Sequence, residues 1–580
     1  MASHVGGGPI RFGAFELDTT SGELRKRGVK VNLPQQAFRV LHALVERPGE
    51  VVSRGELQLR VWPDRTFVEF ETGINKCVSQ VRSLLGDTGA ASRFIETLPK
   101  RGYRFVAPVH VEPSTPRTSG VVVLPFENLT GDATWSFVAE GVTDLITTAL
   151  GEAGALRVIA RTSARACAAA DKGIAAVGRE LLVSLAIEGA VVQLDAGTCL
   201  TVRIVDTVSE RILWQRKYES GKDQVFTLCE RIVADVGAKL QGSDDGAPGG
   251  RRLNGAATTA AQLAYLKGRY LWNRRSESDL LASLEEFRRA LALEPDFALG
   301  HTGVAAANIL LGIWGLLPSH TAFRMARHAA ERALALNDGL AEAHTCIGEV
   351  LKDYDYEWER AELAYRHALT LNPSYSTAHH FLAQLLTSLG RHDEAIASME
   401  AARSVDPLSP AINAYVPYIF LAARQYARAV SEGEAAVQLD PHSPAAHWQL
   451  GRACLFAGNE PRALDMLNAT VAVGGRMPMF LAVLGFARAR AGDTAGAQAI
   501  LAELSERART SYVSPYDFAV IYAGLGHTDA ALRYLEHAYR DRVMRIISLG
   551  DPEFDDLRRE PRFVALARQL RLPAATLRPL

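Results

Sequence analysis

Six cysteines in 580 residues, Cys77, Cys167, Cys199, Cys229, Cys346 and Cys454, stand singly with no C-x-x-C pair, which excludes a zinc knuckle and a disulfide framework. The longest apolar stretch, Gly303 to Pro318, is interrupted by Asn308 and falls short of the ~20 residues of a membrane span, so a buried helix and turn are expected there. Residues 1–9 have neither the basic nor the apolar region of a signal peptide and read as a disordered tail, which points to the cytoplasm. No G-x-x-x-x-G-K-[ST] or G-x-G-x-x-G loop offers a phosphate cradle, and no G-x-S-x-G offers a nucleophile elbow. The pairs His379-His380 and His442 with His447 lack a Cys or carboxylate to complete a tetrahedral set. No enzyme, cofactor or metal is therefore expected. A net charge of −1 leaves the partner unnamed, while 48% apolar and 22% charged residues describe a globular chain.

Charge is uneven along the chain. Residues 1–110 hold 16 Lys and Arg against 11 Asp and Glu, an excess that fits phosphate contact. Its sharpest expression is residues 93–108, which read as two short strands around Pro99-Lys100-Arg101-Gly102. Gly102 supplies a positive φ, and Lys100, Arg101 and Arg104 crowd the tip. Upstream, Ile74, Cys77, Val78, Val81, Leu84 and Leu85 form the buried stripe of a helix over 72–85. Its opposite face presents Thr72, Asn75, Lys76, Ser79, Arg82 and Ser83. A packed helix followed by a basic hairpin is how a winged helix-turn-helix meets double-stranded DNA, helix in the major groove and hairpin on the flanking backbone. Asn75, Lys76, Ser79 and Arg82 are the candidate groove residues, and Lys100, Arg101 and Arg104 the candidate phosphate or minor-groove residues. For Tyr103, donation to phosphate and packing at the hairpin base both stay open.

The spelling goes further. Phe12-Gly13-Ala14-Phe15-Glu16-Leu17-Asp18 for an opening strand, Leu33 to Leu41 for a first helix, Val51 to Leu57, Val61-Trp62-Pro63-Asp64 and the Ile95–Phe105 wing follow in order. Residues 10–110 thereby resemble the effector domain of OmpR/PhoB-type transcriptional regulators, most closely the CadC-like branch. The resemblance implies promoter binding, compatible with self-association on tandem half-sites. It departs from the family at Ser79-Gln80, where basic residues are usual, and no receiver domain precedes residue 10, so the signal is expected from elsewhere. Many CadC-like proteins carry a membrane span after this domain; none is expected here.

Polar linkers, 111–120 and 241–257, bound a middle block, 121–240, in which strand-like and helix-like segments alternate. Val121 to Phe126 and Leu156 to Ala160 read as strands, 135–150 as a helix, Leu185 to Tyr218 as three more strands and 223–240 as a closing helix. Val123 to Asp132, Glu140 to Asp144, Arg157 to Ser163 and Glu188 to Val191 resemble the TolB/FlgO-like domain, which implies no established chemistry. Asp132, Glu140 and Asp144 are expected as solvated or helix-terminal charges.

From 258 to 572 the period is 34 residues. Pro373, Pro407 and Pro441 are so spaced, as are Ala368, Ala402 and Ala436, and Gly390, Gly458, Gly492 and Gly526 share one phase, in which Arg424 replaces the missing glycine. That is the tetratricopeptide repeat, in seven or eight copies. The expected fold class is thus multidomain and mainly α: winged helix, small α/β domain, α-solenoid. Stepping by 34 along the first helices gives one column with Gln384, Tyr418, Arg452 and Phe486, and another with His380 and Trp448. These are candidates for a groove that binds a protein or peptide partner. The alternative, packing of Tyr418 and Phe486 between helices, stays open. The reading is a one-component DNA-binding regulator whose solenoid and middle domain bind or sense a partner; its alternative is a repeat scaffold whose winged helix mediates protein contact.

Overall fold

The computed structural model describes residues 10–573 and 576, apart from 19–22, 27–28, 32, 62–69, 88–91, 100, 112–119, 155, 195–196, 222–224, 242–257 and 275. Lys100, the tail 1–9 and most of both linkers lie outside the described residues. Contacts divide the chain into two units, 1–118 and 119–580.

The first unit opens with β1 (Ile10–Phe12), β2 (Phe15–Asp18), β3 (Glu23–Lys26) and β4 (Val29–Val31). The expected single opening strand is in fact a hairpin, because Gly13 turns the chain at φ 57° between Phe12 and Phe15. The unit continues through α1 (Gln35–Val45), β5 (Val51–Val52), α2 (Arg54–Val61), α3 (Phe70–Leu85), β6 (Ile95–Leu98), β7 (Gly102–Phe105) and β8 (His110–Val111). β8 pairs with β1, so Val111 belongs to the sheet β4-β3-β2-β1-β8 and not to the linker. Phe12, Phe15, Phe94 and Phe105 meet with ring centroids 5.1–6.3 Å apart and tie that sheet to the wing. Ser53 and Glu56 cap α2 reciprocally: the Ser53 hydroxyl accepts from the Glu56 N–H at 3.2 Å, and the Glu56 carboxylate accepts from the Ser53 N–H at 2.9 Å.

The second unit begins with an α/β layer: β9 (Gly120–Val123), β10 (Glu127–Asn128), α4 (Ser136–Glu152), β11 (Arg157–Ile159), α5 (Arg161–Ala169), α6 (Ile174–Leu181), β12 (Leu185–Leu194), β13 (Gly197–Asp206), β14 (Ile212–Gly221) and α7 (Val225–Gln241). The sheet runs β11-β9-β12-β13-β14, with β10 beside β12. Val121 and Val123 face α4 and α7, whereas Val122 and Ile159 face α5 and α6. The strands and the two long helices follow the sequence reading; α5 and α6 are additional, their stripes being only two or three residues wide.

Eight helix pairs follow among the described residues. First helices begin at Ser376, Pro410, Pro444 and Pro478, and second helices at Trp358, His392, Tyr426, Glu460, Thr494 and Thr528, each 34 residues after the last. The repeat-phased alanines Ala368, Ala402 and Ala436 are buried where helices approach. Gly390, Gly458, Gly492 and Gly526 hold the left-handed turn, and Arg424, in the same phase, adopts φ 60° too. The stretch after Arg540 departs from the repeat: two 3-10 turns, Met544–Ser548 and Pro552–Leu557, precede a helix Pro561–Gln569. Ile546, Leu549, Phe554 and Phe563 within it are fully buried.

The middle layer and the solenoid share an interface. The carboxylate of Asp406, 3% exposed, accepts from the Ser163 hydroxyl at 2.6 Å and the Ser163 N–H at 3.1 Å. The Asp144 carboxylate accepts twice from the Arg269 guanidinium, at 2.6 and 2.9 Å, and Glu140 pairs with Arg161. Asp144 and Glu140 are therefore half-buried ion-pair partners, not the solvated or helix-terminal charges expected of them; the helix that carries them packs against neighbours that the sequence pattern does not reveal.

Candidate nucleic-acid interface and the solenoid column

In α3, Ile74, Cys77, Val78, Val81 and Leu85 are buried, which turns Thr72, Asn75, Lys76, Ser79 and Ser83 outward. The wing is aligned beside this face by Asp87. Its carboxylate, 5% exposed, accepts from the N–H groups of Arg93 (2.8 Å), Phe94 (3.1 Å) and Ile95 (2.9 Å). Burial raises its pKa, but those three donors and the nearby Arg82 outweigh burial and hold it below the ordinary carboxylate value. Gly102, at φ 144°, presses against β5, where any Cβ would collide with the Val52 carbonyl; the glycine is needed for that approach.

The outward polar residues differ in what they have left to offer. The Asn75 side-chain oxygen accepts from the Tyr103 hydroxyl at 2.6 Å and from Arg54 at 3.3 Å, and Arg54 lies 5.3 Å over the Tyr103 ring. A guanidinium only donates, so this contact fixes the amide with its oxygen inward and its N–H₂ available. Tyr103, 3% exposed, is thus a packed residue with its hydroxyl turned onto Asn75. Arg82 donates to the Ile95 carbonyl at 2.7 Å and to the Thr97 hydroxyl at 2.9 Å, bracing α3 against the wing. Arg101 is exposed at the turn, and Arg104 faces Glu96 across the hairpin at 3.5 Å. Arg54, Asn75, Ser79, Arg82, Thr97 and Tyr103 line one open cleft. Arg54 is not among the residues that sequence reasoning finds; its only signal is its place next to the capping serine of α2.

The solenoid column behaves otherwise. Tyr418, Arg452 and Phe486 are 5%, 3% and 3% exposed, which corrects the expectation of an open groove. For Tyr418 and Arg452 the physical reason is the segment after Arg540. Arg452 donates to both oxygens of Glu553, at 2.7 and 2.9 Å, and to Asp551 at 2.8 Å, while Tyr418 donates to Asp551 at 2.8 Å. Arg424 donates to Asp555 at 2.6 Å and to the Gly550 carbonyl at 3.0 Å, a use for the side chain that stands where the repeat has glycine. Phe486 packs on Phe456 between helices, and Trp448 lies between Phe480, Arg452 and Arg545. His380 and Gln384 join a buried network: Lys352 donates to Gln384 at 3.1 Å and to Glu349 at 2.7 Å, and the two groove candidates touch at 3.1 Å. Burial, with Lys352 beside it, pushes the His380 imidazole down to about 3. No group of three metal-ligating side chains occurs among the described residues, and no helix among them is long and apolar enough to cross a membrane.

Residues 28–105 match the family described as transcriptional regulatory protein, C terminal, and residues 376–407 and 420–475 match tetratricopeptide repeats. The transcriptional regulator HilA of Salmonella typhimurium strain LT2 is 22% identical over 400 residues, 67% of this chain and 69% of its own length. The cholera toxin transcriptional activator of Vibrio cholerae is 31% identical over 110 residues, 18% of this chain and 37% of its own. A Rhizobium meliloti protein named for the adenylate cyclases is 30% identical over 124 residues, 21% of each chain.

Proposed function

We propose that this chain, which carries an OmpR/PhoB-type effector domain over residues 28–105 and tetratricopeptide repeats toward its other end, is a sequence-specific regulator that binds promoter DNA through α3 and the wing. The observation that carries the reading is the outward face of α3 beside a cationic hairpin, with Lys76, Ser79 and Arg101 exposed and the Asn75 amide donors available. Lys76 and Arg101 hold phosphates. Asn75 offers donors only, so it reads an acceptor, such as guanine O6 or N7 or thymine O4, instead of the bidentate adenine contact that a free asparagine makes. Arg82 positions the wing and acts on DNA through it. Arg54, on the same cleft, is a further phosphate donor.

The repeats serve protein contact, on surfaces other than the column that the chain itself occupies. The TolB/FlgO-like reading of 121–240 makes that layer the place where a signal reaches the solenoid, since Asp406 and Arg269 couple the two. DNA binding puts the protein in the cytoplasm, at the nucleoid when bound, and no step requires a catalytic centre; the likeness to a protein named for the cyclases makes nucleotide turnover a cheap control.

The test is retention of genomic fragments by the full chain at two salt concentrations, with the bound fragments sequenced. The expected result is a shared motif whose retention falls with salt. Unselective or absent retention would overturn the reading.

A further inference from the structure

The middle sheet has two edges, and they differ. At β11 the solenoid closes the edge: the Val158 N–H donates to the Ser374 hydroxyl at 3.0 Å and the Ala160 N–H to the Val405 carbonyl at 2.7 Å. At the other edge β14 runs for ten residues, paired with β13 alone among the described strands. Gln215, Arg216, Lys217 and Glu219 are exposed along it, and Ile212 and Leu213 at its start are about half exposed. A long unpaired edge is a template for another strand.

We infer that β14 pairs antiparallel with β14 of a second copy of this chain, joining two middle sheets into one. The occupant follows from the charges. A two-fold axis perpendicular to the sheet sets residues of the same face opposite one another. Tyr218 faces α7, where its hydroxyl donates to Asp235 at 2.7 Å, so Lys217 and Glu219 share the other, solvent-facing side. With Tyr218 opposite Tyr218 of the second copy, each Lys217 stands opposite a Glu219. The neighbouring registers set Lys217 against Lys217 or Glu219 against Glu219, and directly opposed like charges are destabilising. Charges that guard an edge against indiscriminate pairing here admit one register and one partner. Within one chain the same two side chains already touch at 2.6 Å, so the second copy extends an existing pair into a four-charge row.

The experiment needs no DNA, so its failure is distinct from failure of the regulatory reading. The solution mass of the full chain is measured across the micromolar range for the wild type, Lys217→Glu, Glu219→Lys and an equal mixture of the two variants. Both positions are more than half exposed, so unchanged thermal melts serve as the folding control. The expected result is a wild-type mass twice the 63.0 kDa of one chain, monomers for each variant, and dimers again in the mixture. In the mixture the carboxylate introduced at position 217 of one chain meets the ammonium introduced at position 219 of the other. Recovery there isolates the contact between copies, because neither variant can restore its internal pair. A monomeric wild type, single variants that dimerise like the wild type, or a mixture that stays monomeric would overturn the proposal.

Discussion

The outward face of α3 and the inner column of the solenoid carry similar side chains, Asn, Lys and Arg on one and Gln, Tyr and Arg on the other, and they end in opposite states. On α3 the chain uses only the inward half of Asn75, whose oxygen is taken while its N–H₂ has no acceptor among the described residues. In the column the cation itself is taken, because Asp551, Glu553 and Gln449 all accept from the Arg452 guanidinium. A periodic row of polar side chains is therefore a site only where the rest of the chain does not reach it. Arg452 is a structural cation; Lys76 and Arg101 face solvent.

Substitutions break this comparison in order of size. Arg452→Ala leaves Asp551 and Glu553 buried without their cation, and a loss of about 3–5 kcal/mol in unfolding free energy is expected by denaturant titration.

Asp406 tests the joint between the middle layer and the solenoid. Burial raises its carboxyl to about 6, against the hydrogen bonds from Ser163 that lower it. The folded state then holds a proton that the unfolded chain has released, so stability falls as pH rises from about 4 to about 6 and is level above that, by about 3 kcal/mol in all. Asp406→Asn, measured by denaturant titration across that window, should flatten the dependence.

On the proposed DNA face, Asn75→Ala should cost about 1–3 kcal/mol in DNA affinity by fluorescence anisotropy, with preference lost at one base position.

Smaller effects sharpen the picture. Arg101→Ala should remove one phosphate contact and with it reduce the log–log salt slope of DNA binding by roughly 0.9. Arg424→Gly relieves a left-handed non-glycine residue, worth about 1–2 kcal/mol, while losing its bonds to Asp555 and Gly550. A net change in unfolding free energy within about 1 kcal/mol is expected by denaturant titration.

The architecture is legible in the sequence because its signals are local. Apolar stripes mark α3, and a 34-residue interval marks helix starts such as Ser376, Pro410, Pro444 and Pro478. The inward half of the proposed DNA face is less visible, since the bonds of Tyr103 to Asn75 and of Arg82 to Ile95 join residues 28 and 13 positions apart. The column misleads for the same reason on a larger scale. Arg452 and Glu553 are 101 residues apart, and nothing periodic in 544–557 announces that it returns to the inner row. Arg424 is a local clue. A long cation in the glycine phase of the turn implies a nearby anion strong enough to hold it there.

The contrast is tested most directly by hydrogen–deuterium exchange of the full chain with and without a retained DNA fragment. Protection confined to 70–85 and 95–105, with 444–456 and 544–557 equally slow in both states, is the predicted result. DNA-induced protection in 444–456 or 544–557, or none in α3, would contradict the account.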